Sequence, residues 1–254
     1  MPTAPPLRRA AAAVATGATM AGLAAAAYAA PSVARLLPPR LRLTPRLSGL
    51  GEPTHLALTF DDGPDPVSTP AVLEQLDRLG WKATFFCLGN MADAAPGLVA
   101  ELVAAGHEVG VHGYEHAGAI RRTPRALTDD VSRTRDVIAH ATGVEPFWYR
   151  PPFGELSVGS LLAARACALR VVLWSAWGRD WRAEATPASV VADLDRGVLR
   201  GGTALLHDSD CTSAASSWRT TVAALPLLAE HLDAMGVAAG PLREHGLTDG
   251  RVAA

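Results

Sequence analysis

The chain predicts an α/β protein built on parallel strands, and three observations carry that prediction. From about Glu52 onward, short apolar runs alternate with longer amphipathic ones. Alternation at this spacing implies parallel strands joined by crossover helices. Gly80, Gly106, Gly143 and Gly236 stand where the helices should stop. Polar clusters fall at the ends of the predicted strands, where parallel α/β folds place their sites. The 254 residues suffice for one large domain or two small ones, and no internal repeat is visible.

Taken in order, residues 1–50 do not read as domain material. Arg8-Arg9 precede an uncharged, alanine-rich run from Ala10 to Ala30, and Ala27-Tyr28-Ala29 offers a small-x-small cleavage site. The run is also about long enough to span a bilayer. A cleaved signal peptide and an uncleaved membrane anchor both fit, and either implies export. Arg35, Arg40, Arg42 and Arg46 follow the run and weaken a simple outward-facing reading. With Pro38, Pro39 and Pro45 they form a linker segment. The expected domain is 51–254. Its strand candidates are 55–59, 83–87, 108–112, 147–150, 170–174 and 203–207, with a short strand near Val237. Its helix candidates are 69–79, 96–105, 124–141, 157–168, 187–199 and 219–234.

A net charge of -2 gives no support to non-specific nucleic-acid binding. Cys87, Cys167 and Cys211 lie far apart without CxxC spacing, which argues against a disulfide framework and a structural zinc site. Small buried apolar roles suit them better.

Five clusters carry the chemistry. The first is Thr59-Phe60-Asp61-Asp62-Gly63-Pro64, at the end of an apolar run. Where the strand ends, the backbone can aim both carboxylates into one site. Two acids so close are costly together unless a cation is present; a solvated Asp-Asp turn is the plain alternative. The second, His112-Gly113-Tyr114-Glu115-His116, places two histidines four apart, able to meet one ion if the segment is helical or tightly turned. Asp62 is the obvious oxygen donor to complete that face, and Glu115 is expected to point outward. The third is Arg150-Pro151-Pro152-Phe153-Gly154, a rigid path that can hold an arginine and a backbone N–H in place. A structural turn with a surface arginine is the other reading. The fourth, Trp174 to Trp181, holds three tryptophans within eight residues. Aromatic rings near a site pack against sugars or support catalytic groups, although core packing suits Trp174. The fifth is Leu205-Leu206-His207-Asp208, where a histidine at a buried strand end suits a proton donor tuned by an acid. The remaining histidines, His55, His107, His140, His231 and His245, read as surface or helix-end residues.

With TFDDGP, HxxxH, RPPFG, DW and LLHD in this order, residues 54–240 resemble the polysaccharide deacetylases of carbohydrate esterase family 4, the NodB-like domain. The resemblance implies a distorted (β/α) barrel with about seven strands. It implies a divalent metal ion, zinc first, with cobalt, nickel or manganese as alternatives, held by Asp62, His112 and His116. It implies that Asp61 is the general base, oriented by Arg150, and that His207 is the general acid, tuned by Asp180. The Phe153 N–H would hold the oxyanion, and Trp181 and Leu205 would wall in the acetyl methyl. The implied activity is de-N-acetylation of an N-acetylglucosamine-containing glycan of the cell envelope. Another amide or ester substrate, or a non-catalytic glycan-binding role, is the alternative. The implied partner is the glycan; the N-terminal segment, read by itself, fits a protein either secreted or anchored at the outer face of the cell membrane.

Three positions depart from the family's pattern. Gly113 stands where Ser or Thr is common, Phe153 where Tyr is common, and Trp177 where an acid is frequent three residues before Asp180.

Overall fold

The computed structural model describes residues 22–32 and 44–247. Strand β1 (His55–Asp61), buried from Leu56 to Asp61, is its centre. Alternation along this strand sorts the two apolar regions. Leu56, Leu58 and Phe60 join the large core that packs against the helices. Ala57 faces the other way, with Phe86, Trp148 and Val172. Thr59 and Asp61 share the face of Ala57, so the same alternation carries Asp61 to the top of the barrel's interior.

The other strands are β2 (Thr84–Cys87), β3 (Glu108–Val111), β4 (Trp148–Tyr149), β5 (Arg170–Val171), β6 (Ala176–Trp177), β7 (Thr203–His207) and β8 (Ala238–Gly240). They pair in the order β5-β4-β3-β2-β1-β7-β6, every pair parallel. The short β8 pairs with His55–Ala57 of β1, while β2 pairs with Thr59–Asp61. The seven-strand path curls into a distorted barrel, as expected. Among the described residues its edge strands β5 and β6 do not pair with each other, although they follow one another in sequence. Backbone and an arginine occupy that gap instead. Leu173 N–H donates to the Leu47 carbonyl at 2.8 Å. The Arg150 guanidinium donates to the carbonyls of Val172 and Leu173 at 3.4 and 2.9 Å.

Helix α1 (22–32) precedes β1, and the strands are connected by α2 (Ser68–Arg78), α3 (Gly89–Ala94), α4 (Pro96–Ala104), α5 (Pro124–Thr142), α6 (Val158–Ala166), α7 (Pro187–Asp195) and α8 (Ser217–Met235). Their ends follow local chemistry. Thr123 caps α5 by accepting from Ala126 N–H, and Ser157/Ser160 and Thr186/Ser189 form capping boxes on α6 and α7. Gly80, Gly106, Gly143 and Gly236 end helices at φ 65, 84, 70 and 64°, a region other residues avoid.

Sequence reasoning did not predict α3 or β6. The first is six residues long and the second two, too short for a periodic pattern. Two of the histidines read as surface or helix-end residues are buried: His107 is 4% and His245 0% exposed. His107 Nδ1 accepts from Ala83 N–H at 3.1 Å, and His245 shares a 2.8 Å hydrogen bond with His55. Both do lie at helix ends: His107 N–H closes the end of the 96–104 helix on the Leu102 carbonyl at 3.0 Å, and His245 caps the short 3-10 turn 242–244. Cys87 and Cys167 are buried, whereas Cys211 is exposed, and all three are free.

Most of the alanine-rich run lies outside the described residues. Within α1, Tyr28 Oη donates to the Arg122 carbonyl at 2.6 Å, and Ser32 Oγ to the Leu156 carbonyl at 2.8 Å. No helix among the described residues is long and apolar enough to cross a membrane. Residues 44–50 lie against the barrel, with Thr203 Oγ1 donating to the Gly49 carbonyl at 2.7 Å.

Candidate active site

The two carboxylates at the end of β1 are aimed by backbone geometry. Asp61 points along the barrel axis by alternation, so regular strand geometry would turn Asp62 away. Asp62 instead adopts φ 80°, a left-handed conformation that Asp tolerates better than most residues. The chain bends and both acids face one cleft. Gly63 follows because space requires it: a Cβ there would collide with the Asp208 carboxylate. Asp208 is 1% exposed and joins the ends of β1 and β7, accepting from Gly63 N–H at 3.1 Å and from Thr69 Oγ1 at 2.5 Å. Burial pushes its carboxyl up to about 7.

The two acids have different partners. Asp61 Oδ1 receives a 2.7 Å hydrogen bond from Arg150 Nη1, which also donates to Thr59 Oγ1 at 2.8 Å. Arg150 is 0% exposed and its guanidinium lies over the Phe86 ring at 4.1 Å, so the surface arginine allowed by the sequence is excluded. Asp62 Oδ1 has no hydrogen-bond partner despite its burial. Facing it, His112 Nε2 stands at 3.3 Å and His116 Nε2 at 3.4 Å. One atom from each of the three residues lies within 4.8 Å of the others. An orphaned carboxylate oxygen facing two imidazole nitrogens is the donor set of a divalent cation. These residues fit a bound metal.

The tautomer of His112 is set from behind: its Nδ1 donates to the Arg150 carbonyl at 2.7 Å, leaving Nε2 toward Asp62. Burial disfavours charge on His112, but Asp61 and Asp62 outweigh it and raise its pKa. Burial, helped by His112, pushes His116 down to about 4, so it stands neutral and able to ligate. Burial would raise Asp62, yet His112, His207 and His116 outweigh it and hold the carboxyl well below the usual range. The segment between the histidines is a tight turn and not a helix. Gly113 adopts φ 93°, a conformation open to glycine, and supplies no hydroxyl to the turn. Asp130 ties the turn down instead, accepting from Tyr114 N–H at 2.9 Å and pairing with Arg122 at 2.9 Å. Glu115 is exposed, as expected.

His207 ends β7 across the cleft. Its Nδ1 donates to Asp180 Oδ1 at 2.8 Å, and its own N–H donates to Asp180 Oδ2 at 2.8 Å. Thr221 Oγ1 adds a third hydrogen bond to Asp180 at 2.7 Å. This leaves His207 Nε2 for the cleft. Burial works against a charge on the ring, but Asp180, followed by Asp62 and Asp61, outweighs it and holds the pKa up at about 10. His207 therefore carries its proton at neutral pH.

A cavity of about 480 Å³ brings these groups together. Asp61, Asp62, His112, His116, Phe153, Trp181, Leu205 and His207 all line it, with Trp174 and Trp177 on the same wall. Arg150 and Asp180 stand behind, acting through Asp61 and His207. Phe153 is in the left-handed region at φ 57°, 55% exposed, its ring edge-on to His116 at 4.2 Å. Trp177 links Trp174 and Trp181, with ring centroids 5.7 and 6.3 Å apart. Sequence reasoning gave no role to Thr59, which it named, and missed Asp130, Thr212 and Thr221, each hydrogen-bonded to a residue or turn of the site.

Hydrolysis is the chemistry for which such a cleft is equipped: a cation face, a separately held carboxylate and a protonated imidazole opposite. The chain belongs to the polysaccharide deacetylase family, whose model matches residues 49–172. It is 34% identical over 162 residues to the peptidoglycan-N-acetylglucosamine deacetylase PgdA of Listeria monocytogenes, covering 64% of this chain and 34% of the relative. The chain thus spans about a third of that relative's length. It is 34% identical over 193 residues to a chitooligosaccharide deacetylase of Bradyrhizobium, covering 73% of this chain and 87% of the relative. The solved structure of the Bc1960 peptidoglycan N-acetylglucosamine deacetylase matches with a TM-score of 0.74 at 26% identity, covering 84% of this chain and 98% of that one.

Proposed function

We propose that the chain is a metal-dependent de-N-acetylase acting on an N-acetylglucosamine-containing glycan of the cell envelope. One observation carries the reading. Asp62 Oδ1 stands orphaned before His112 and His116, while the adjacent Asp61 is held separately by Arg150. Asp62, His112 and His116 would hold a divalent ion, zinc or one of cobalt, nickel and manganese. Such an ion would supply polarisation of the acetyl carbonyl and acidification of a water.

The chain's own residues do the rest. Asp61 takes the proton of the water as its oxygen bonds to the acetyl carbon. The Phe153 N–H helps to hold the negative charge that develops on the carbonyl oxygen. His207 gives its Nε2 proton to the departing nitrogen as the C–N bond breaks, leaving acetate and a free amine. Asp180 keeps the His207 ring oriented, and Arg150 does the same for Asp61. Trp181 and Leu205 enclose the acetyl methyl.

The names of the relatives support a glycan carrying N-acetylglucosamine, with peptidoglycan and chitooligosaccharides both represented. Arg8-Arg9 and the alanine-rich run support export, with the enzyme secreted or anchored outside the membrane. Trp177, an indole on the cavity wall where relatives often carry an acid, favours one second reading: an amide or ester of a different acyl substrate on the same fold. Acetate release from chitooligosaccharides and from peptidoglycan tests the proposal, using chelated protein with and without zinc or cobalt. Release restored by metal is expected. No release from either substrate, with metal bound and the fold intact, would overturn the glycan reading.

A further inference from the structure

We propose that Thr212 is a positioning residue for Asp62, supplied by the loop that follows His207. The inference rests on the reading of Asp62, His112 and His116 as a metal site. The matched family region ends at residue 172, well before this loop.

Thr212 Oγ1 donates to Asp62 Oδ2 at 2.6 Å, the shortest of the contacts given above for that carboxylate. Cys211 Sγ lies 3.6 Å from the Asp62 carbonyl, so the loop grips both ends of the residue. The loop is itself tied together. Asp210 accepts from Ser216 N–H through Oδ2 and from Ser213 N–H through its carbonyl, at 2.5 and 3.1 Å. Ala214 N–H donates to the Trp181 carbonyl at 3.0 Å. One segment therefore connects the ligand carboxylate to the tryptophan wall of the cleft.

A carboxylate has two equivalent oxygens and rotates freely unless one is engaged. The Thr212 hydroxyl takes Oδ2, leaving Oδ1 as the oxygen that faces His112 and His116. Hydrogen bonds from behind a ligand commonly change metal affinity by about 10–100-fold.

The test compares Thr212→Val, which removes the hydroxyl at nearly constant volume, with Thr212→Ser, which keeps it. Zinc and cobalt affinities are measured by competition with a chelator, and the visible spectrum of the cobalt-saturated protein is recorded. Thr212→Val is expected to bind metal about 10–100-fold more weakly with an altered cobalt spectrum, and Thr212→Ser to stay near the wild type. If valine disturbs the fold, Thr212→Ala replaces it in the same comparison. Unchanged affinity and spectrum in the hydroxyl-free variant, while His116→Ala loses the metal, would overturn this inference alone. A wild-type protein that takes up no ion would overturn the metal site as well.

Discussion

Asp61 and Asp62 divide their work through one backbone angle and one arginine. The left-handed turn at Asp62 carries a cost of roughly 1–3 kcal/mol, and the two carboxylates reach the same cleft because of it. Arg150 then neutralises only the first. Replacing Arg150 by Met would leave Asp61 buried without its partner, and stability should fall by about 3–5 kcal/mol in chemical denaturation. Wild-type stability in that variant would show that Arg150 does not neutralise Asp61. A second residue-scale prediction concerns His107. Burial, with Lys82 and Arg243 nearby, pushes its pKa from 6.5 down to about 4. Between these values the unfolded chain binds a proton that the folded chain does not. The stability that neutral His107 contributes is therefore full above pH 6.5 and is lost as the pH falls to about 4. An Asn at this position keeps an acceptor for Ala83 N–H and cannot titrate. On acidification across that range, the wild type should lose on the order of 2–3 kcal/mol relative to His107→Asn. Parallel stability-versus-pH curves for the two proteins would remove His107 as the cause.

At the level of elements, stop signals were more legible than starts. Gly143 ends α5 at φ 70° with open space where a Cβ would sit. Gly143→Ala therefore adds backbone strain without a clash and should cost about 1 kcal/mol in thermal unfolding. A neutral outcome would mean that the helix end simply shifts. The long, periodic α5 and α8 could be read from the sequence because apolar spacing over 19 residues leaves little choice. The stretch from 170 to 177 could not. The sequence predicts a single strand to 174, whereas β5 ends at Val171 and β6 begins at Ala176 on the opposite edge of the sheet. Val172 N–H still donates to Tyr149 of β4, but the Val172 and Leu173 carbonyls accept from Arg150 and Leu173 N–H donates to Leu47, tertiary contacts with no local signature.

Across the whole molecule, the parallel barrel gathers the ends of β1, β3, β4 and β7 around one cleft. Four of the five motifs could be read because each sits where a predicted strand stops, while the fourth straddles the unpredicted β6. Their supports could not. Thr212, Thr221 and Asp130 lie in a loop and two helices, and only the packing of those elements brings a hydroxyl or carboxylate within 3 Å of a site group. The hydrogen-bonded pair of half-buried His55 and buried His245 escaped for the same reason, since β1 and the chain's last described turn meet only in the fold. The account as a whole requires the metal-holding and proton-taking carboxylates to be separable. The most direct test measures bound metal and acetate turnover together in Asp61→Asn. The prediction is a bound ion retained, with turnover reduced by about 10²–10⁴-fold. Near wild-type turnover, or loss of the metal along with Asp61, would contradict it.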